Sequence, residues 1–554
     1  TSTSLSQGMA LLIRALAGTL MLVSMILICL SGIKTPIGRS PSIRSRHPIR
    51  GSLLHSVKFH SGTPRARRQP YRGLLQRCHK DCSSFCTDVG PVGRRLGEKK
   101  GETVWMEMGR LVQSLPDPVN LGQGYPDWEP PEFVRRSASE AIALGYNQYT
   151  RTQGHPELVE TLAKRYSTHL HREVDPLNEI AVTVGCSQAL YLSLTALLEP
   201  GDEVILLEPF FDLYLGQVKL AGGTPVTVPL NLKQGKWELD VAKLESSITD
   251  RTKAIILNTP HNPTGKVFSP EEMESIADVV RRHPQVSVIS DEVYKYIIID
   301  TPSQDKCSTA GCELELREEA GPSSPPRHTH FASLPGMWNR TVTCSSAGKT
   351  FSITGWQVGW MVGPSDFIAR VHALLPHVQF CAPSPMQHAL SRVLEEADQP
   401  FDGYLNYYAW LRAMYDRKRQ KLLSGLKAGG LEPTKGEGGF FIMADARRLI
   451  PLVPSRYFQQ AAANGRSRDF ALCRWLGEEH NLVVIPGSPF FQNSESKMGK
   501  MKDESPCLLR MAFCKRDEIL ERACERFKIL GHQVERYEAQ AAVPTSTAST
   551  ETHV

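Results

Sequence analysis

Between residues 179 and 346, short apolar runs alternate with amphipathic ones. Residues 179–185 (EIAVTVG), 202–209 (DEVILLEP), 252–258 (TKAIILN), 286–291 (VSVISD) and 340–346 (RTVTCSS) have β-branched or apolar centres and predict strands. Residues 187–198 (SQALYLSLTALL) and the stretch from 156 to about 169 predict helices between them. Apolar strands separated by helices point to the α/β class, with a mostly parallel sheet covered by helices on both faces. Upstream, residues 102–111 (ETVWMEMGRL) set Trp105 and Met108 on one face of a helix. After about residue 382 the helical spacing returns. There, residues 436–449, 481–491 and 507–515 predict strands of a smaller α+β domain.

These patterns divide the chain. Residues 1–95 form a largely disordered leader, and 96–145 an N-terminal arm with part of the small domain. Residues 146–395 form the large domain, 396–535 the small C-terminal domain, and 536–554 a disordered tail. Residues 301–330 are polar, rich in Pro, Gly and Ser, and acidic in the middle, which predicts an inserted mobile surface loop. The last residues, Thr552, His553 and Val554, resemble a PDZ-binding terminus, a match too short to carry weight.

Charge changes the picture at one end. Residues 1–80 carry 13 Lys and Arg and no Asp or Glu, so the net +6 comes from the leader. The rest holds 51 basic and 58 acidic side chains, a balance of −7 that gives no reason to expect a nucleic-acid partner. Residues 15–33 are apolar between Arg14 and Lys34, long enough for a membrane anchor. Residues 34–80, rich in Arg and Ser, have transit-peptide composition, which favours a cleaved mitochondrial presequence. Plastid, cytoplasmic and membrane-tethered locations remain alternatives. The 13 cysteines are scattered, as expected of reduced thiols, and Cys78, His79, Cys82 and Cys86 read as a chance cluster rather than metal ligands. No metal is expected.

Open sheets of this kind place their sites at the carboxyl ends of the strands. Gly185, Phe211, Asn262, Asp291 and Lys349 each come at or just after a predicted strand end. Alone, Lys349 in SSAGKTFSITGW would read as a solvated surface lysine. Three segments change that: NTPHNPTG (258–265), SDEVY (290–294) and LLRMAF (508–513). With LGQGYPD from Leu121 and NQYTRTQGHP from Asn147, they resemble the fold-type-I, pyridoxal 5'-phosphate-dependent aminotransferases. Within these, the chain is most similar to the kynurenine aminotransferase and cysteine-S-conjugate β-lyase group. The resemblance runs from about Trp105 to about Leu530.

The resemblance implies specific roles. Lys349 forms the covalent link to the cofactor aldehyde and, once displaced, becomes the general base at Cα. Asp291 keeps the pyridine nitrogen protonated, while Tyr294 and Asn262 donate to the phenolic oxygen. Gly185, Cys186 and Ser187 open a helix whose free N–H groups hold the phosphate, with Ser346 adding a hydroxyl. Phe211, with its neighbour Phe210 as the alternative, stacks on the ring, and Tyr149 reaches the phosphate across a homodimer interface. Gly124, Asn262 and Arg510 take the substrate carboxylate, and Trp105, Tyr125, Tyr149 and Phe380 supply an aromatic pocket. Bland readings compete: a turn glycine for Gly124, an Asn-Pro turn cap for Asn262, packed rings for the aromatics, a surface cation for Arg510. One position departs from the family pattern. Lys or Arg usually follows the Gly-Trp of TGW, and this chain has Gln357.

The expected activity is transamination of an L-amino acid (kynurenine, glutamine, or an aromatic or sulfur amino acid) with a 2-oxo acid such as 2-oxoglutarate. β-Elimination from cysteine S-conjugates is an expected side activity. Two other readings compete: an aminotransferase preferring alanine, methionine or aromatic donors, and a binding or regulatory protein that keeps the fold without turnover.

Overall fold

The computed structural model describes residues 103–299, 328–492 and 507–542. The leader, its apolar run, the Cys78–Cys86 cluster, most of the 301–330 insertion and the chain's last residues lie outside this set. No helix of the described residues is long and apolar enough to cross a membrane.

The first elements are α1 (Val104–Ser114), β1 (Val119–Asn120), α2 (Glu132–Ala143) and α3 (Pro156–Leu170). The sheet strands are β2 (Ile180–Val184), β3 (Glu203–Glu208), β4 (Thr224–Lys233), β5 (Lys236–Leu239), β6 (Thr252–Asn258), β7 (Ser287–Asp291), β8 (Thr341–Ser346) and β9 (Val358–Val362). Among them run α4 (Gly185–Leu197), α5 (Leu213–Leu220), α6 (Val241–Ser246) and α7 (Pro270–Arg282). They form one eight-stranded sheet in the order β2-β9-β8-β7-β6-β3-β4-β5. The central pairs β8-β7, β7-β6, β6-β3 and β3-β4 are parallel, as the apolar runs predict.

Alternation along each strand explains why both faces are covered. Val204 and Leu206 of β3, with Ala254 and Ile256 of β6, pack under Leu190 and Leu194 of α4. Their neighbours Ile205, Leu207, Ile255 and Leu257 pack on the other face against Met273, Ile276 and Val280 of α7. In-register pairing sets Asn258 beside Asp291, and Asp291 beside Cys344, so the strands end at one level.

The rest of the chain comprises α8 (Ser365–Val378), α9 (Ser384–Glu396), α10 (Tyr407–Ala428), β10 (Glu432–Pro433), β11 (Phe441–Asp445), α11 (Ser455–Ala463) and α12 (Arg468–His480). It closes with β12 (Leu482–Val483), β13 (Ile485–Pro486), β14 (Leu508–Ala512) and α13 (Asp517–Ala541). The smaller sheet, β10-β11-β14-β13, is antiparallel and carries Arg510 on β14.

Four features correct the sequence reading. Residues 536–541, expected in a disordered tail, continue α13, whose Leu530 and Val534 are buried. His328 and His330, at the end of the expected surface loop, sit in the interior against Glu292. Residues 481–491 split into β12, which pairs with β1, and β13, which pairs with β14. Finally, β9 and the β4–β5 hairpin were not expected. β9 lies antiparallel between β2 and β8, so the sheet is mixed at that edge.

Candidate active site

A cavity of about 410 Å³ opens where β6, β7 and β8 end, between the large sheet and the smaller one. Asp291, the last residue of β7, is buried in its floor. Its Oδ2 accepts from the Tyr214 hydroxyl at 2.7 Å and its Oδ1 from the Val293 N–H at 3.2 Å; the Cys186 thiol lies 3.6 Å from Oδ1. None of these partners is a cation, and burial pushes the Asp291 carboxyl above its ordinary range. A carboxylate in that state calls for a positive group from outside the protein.

Asn258, at the end of β6, joins two of the motifs. Its Nδ2 donates to the Asp291 carbonyl at 2.9 Å, and its Oδ1 accepts from the Asn262 N–H at 2.7 Å. Downstream, the 258–265 segment runs into α7, whose N-terminus is fixed by a capping box between Ser269 and Glu272. Asn262 thus projects into the cavity from a segment held at both ends. Neither Asn258 nor Tyr214 was picked out from the sequence. Asn258 was visible as the first residue of NTPHNPTG, but nothing marked Tyr214 apart from an ordinary core tyrosine.

Lys349 follows β8. Its Nζ donates to the Gly124 carbonyl at 2.9 Å, and burial lowers its pKa from the usual lysine value. Tyr294 is buried edge-to-face against Phe440 and Phe441.

Arg510 is only 1% exposed. It donates from Nη1 to Asn262 Oδ1 at 3.2 Å and from Nη2 to the Gly122 carbonyl at 2.8 Å, while Nε has no partner. Its guanidinium lies 4.2 Å from the Phe441 ring centre and 5.0 Å from those of Trp105 and Phe490. Burial pulls its pKa down to about 10. A buried cation whose hydrogen bonds all go to neutral oxygens is suited to an anionic ligand. Above it, Trp105 Nε1 donates to Asp212 Oδ2 at 2.7 Å.

At the far end of the cavity, α4 starts without a side-chain cap. Gly185 has φ +71° and donates its N–H to the Gln357 carbonyl at 2.8 Å. Gly359 lets β9 approach this turn: a Cβ there would lie 2.3 Å from the Gly185 carbonyl carbon. Cys186, Ser187, Ser346 and Gln357 complete this end, and Phe211 and Tyr214 line the wall beside it.

Of the residues singled out from sequence, Trp105, Gly124, Gly185, Cys186, Ser187, Phe211, Asn262, Asp291, Tyr294, Ser346, Lys349 and Arg510 all line this one cavity. Tyr149 and Phe380 do not line it. Phe380 leaves α8 with φ +62° and turns outward, 49% exposed. Tyr149, 80% exposed, packs edge-to-face on it with ring centres 4.8 Å apart. Within one chain, then, these two aromatics form an outer patch rather than the pocket wall expected of Phe380.

The sequence profile described as "Aminotransferase class I and II" matches residues 116–527. The chain belongs to that family. Among curated relatives of the aminotransferase, the kynurenine–oxoglutarate transaminase of Dictyostelium discoideum is 38% identical over 441 residues, covering 76% of this chain and 93% of the relative. Kynurenine–oxoglutarate transaminase 3 of Homo sapiens is 37% identical, covering 77% and 87%. Among solved structures, the N-succinyldiaminopimelate aminotransferase of Mycobacterium tuberculosis superposes with a TM-score of 0.65 at 33% identity, covering 78% of this chain and 97% of that one. The enzyme is pyridoxal-phosphate dependent, and the cavity fits that cofactor. It offers a buried carboxylate lacking a cation, a lysine held nearby, and an uncapped helix start.

Proposed function

We propose that this enzyme transaminates a bulky L-amino acid, with kynurenine or glutamine as donor and 2-oxoglutarate as acceptor. The observation that carries the reading is Arg510: a fully buried guanidinium with no carboxylate among its hydrogen-bond partners, walled by Trp105, Phe441 and Phe490. Such a group holds an α-carboxylate by a two-pronged bond and leaves apolar ring faces for a large side chain. The names of the curated relatives point the same way.

In this reading each residue has one task. Asp291 would pair with the protonated ring nitrogen, Asn262 and Tyr294 would donate to the phenolic oxygen, and Phe211 would stack on the ring. Cys186 and Ser187, at the uncapped start of α4, with Ser346 at the end of β8, would hold the phosphate. Pyridoxal phosphate, once bound, supplies a protonated ring that accepts the electron pair left by the departing Cα proton. Lys349 Nζ takes that proton and returns it. Gly124 holds Lys349 through its carbonyl, and Trp105, tethered by Asp212, closes the substrate side. A thiolate leaving group at Cβ would depart after the same proton removal, which supports β-lyase activity on cysteine S-conjugates. The exposed Tyr149–Phe380 patch is suited to burial against a second copy of the chain, and supports a homodimer. The composition of residues 34–80 supports a mitochondrial location.

A panel of L-kynurenine, L-glutamine, L-phenylalanine, L-methionine and L-alanine, each with 2-oxoglutarate, tests the substrate reading. Kynurenine or glutamine should give the highest kcat/KM, and a clear preference for alanine overturns it.

Gln357 offers a separate expectation. Its Oε1 lies 2.7 Å from where a Gly185 Cβ would sit, so the side chain already reaches the phosphate end. Its amide replaces the cation usual in this family. A charge-assisted bond contributes about 1.5–3 kcal/mol, so Gln357→Arg should tighten cofactor binding by at least about tenfold, read by equilibrium dialysis of the cofactor. Unchanged affinity would place the phosphate elsewhere.

A further inference from the structure

Away from the cavity, His155 precedes α3, Glu157 lies in its first turn, and His388 lies on α9. One ring nitrogen from each histidine and a carboxylate oxygen of Glu157 lie within 4.8 Å of one another. The two rings are 8% and 4% exposed, and the Nδ1 atoms of both lack a hydrogen-bond partner. Two such atoms side by side are unusual, because buried polar groups are normally paired. Glu157 Oε2 comes within 2.9 Å of His388 Nδ1, but not along the direction a hydrogen bond needs.

We propose that His155, Glu157 and His388 bind a single divalent transition-metal ion, with zinc the ion best suited to these donors. Two imidazoles and one carboxylate, with a fourth position open to water, make a zinc donor set. Tetrahedral zinc needs its ligand atoms about 3.4 Å apart, so closing from the observed spacing takes only small side-chain rotations. Both rings are braced for this. His388 is stacked on Tyr146 with ring centres 3.7 Å apart, His155 packs edge-to-face on the same Tyr146 ring at 5.4 Å, and the His155 backbone N–H donates to Gln387 Oε1 at 2.8 Å, next to His388 on the same helix.

Charge near the site does not forbid it. Arg392 Nη2 is 3.7 Å from Glu157 Oε2, but its side chain is 57% exposed and free to swing into water. Arg151 also acts on His155 from a distance. Glu157 itself is partly exposed, which gives the ion a way in. None of the three ligands lines the catalytic cavity, so the ion would clamp α9 to the start of α3 rather than take part in the reaction.

A second cluster, Glu292, His328 and His330, already gives its carboxylate protein partners, although His328 Nε2 has no hydrogen bond. Ser290 donates to Glu292 Oε1, His330 Nδ1 lies 2.5 Å from Oε2, and the Lys295 ammonium is close enough to add compensating charge. It serves as an internal comparison.

The test uses the full-length holoenzyme, stripped with a chelator and titrated with zinc chloride. Wild type should take up one tightly held zinc per chain and gain in Tm. His155→Gln and His388→Gln should each weaken binding roughly 100-fold or more and abolish the Tm gain, with transaminase activity unchanged. Cobalt chloride should give the visible absorbance of four-coordinate cobalt in wild type only. If either histidine variant does not fold, Glu157→Gln, on the partly exposed ligand, supplies the same reading. Absence of stoichiometric zinc in wild type, or zinc that persists in the variants, overturns the site.

Discussion

Lys349→Ala should abolish transamination, and the purified protein should lose the visible absorbance of covalently held cofactor. Burial lowers the pKa of Lys349 below the usual lysine value, which raises the fraction of neutral amine at any pH where the protein is folded. A neutral amine can attack an aldehyde, and once displaced it can take a proton. Loss of a positioned base alone costs about 10²–10⁴-fold in rate, and loss of the covalent attachment adds to that. Lys349→Arg should be equally inactive, because guanidinium keeps a positive charge but cannot deprotonate. That pair separates base chemistry from charge. The fold should survive, since the one hydrogen bond lost, from Nζ to Gly124 O, contributes about 1 kcal/mol. Relief of a buried ammonium offsets part of it. On the acid side, activity should fall as the amine takes up a proton, at a pH below the ordinary lysine range because the shift is downward. Normal turnover by Lys349→Ala in the purified protein would remove Lys349 from the mechanism.

The parallel core of the sheet was legible because its strands are buried on both faces, so residues such as 252–258 read as unbroken apolar runs. β9 was not. The motif around TGWQVGW drew attention to its chemistry, and the reason for Gly359 is a backbone contact with Gly185 that no local pattern encodes. The same limit applied inside the site. Asp291, Asn262, Lys349 and Arg510 belong to residue types and segments that announce themselves. Tyr214 and Asn258 act by holding Asp291 and Asn262, and only the fold brings them there. Phe380 was assigned by residue type to the pocket wall, and a left-handed turn after α8 sends it outward instead. His328 and His330 were placed in a surface loop because the segment before them is polar. What seats them in the interior is a buried acid far back in the sequence, Glu292.

Asp291→Asn should separate stability from catalysis. In the cofactor-free protein, Asp291 is a buried acid whose pKa is raised by desolvation. A carboxyl whose folded pKa lies above its unfolded value of 3.8 costs stability once pH exceeds that value, because folding then disfavours the charged form it would carry in water. Asparagine removes this cost: its Oδ1 can still accept from the Val293 N–H, and its Nδ2 can donate to the Tyr214 oxygen. The cofactor-free variant should therefore melt at or above the wild-type temperature. Adding cofactor should reverse the order. Wild type gains an ion pair between Asp291 and the ring nitrogen, and the variant does not, so its cofactor-induced rise in Tm should be smaller. An opposite charge at contact distance moves a pKa by about 1–3 units, so the ring-protonated fraction, and kcat with it, should fall by about 10- to 1000-fold. A neutral asparagine cannot recover this by geometry. Full activity in Asp291→Asn, with a normal cofactor-induced rise in Tm, would mean that the ring nitrogen is held by another group.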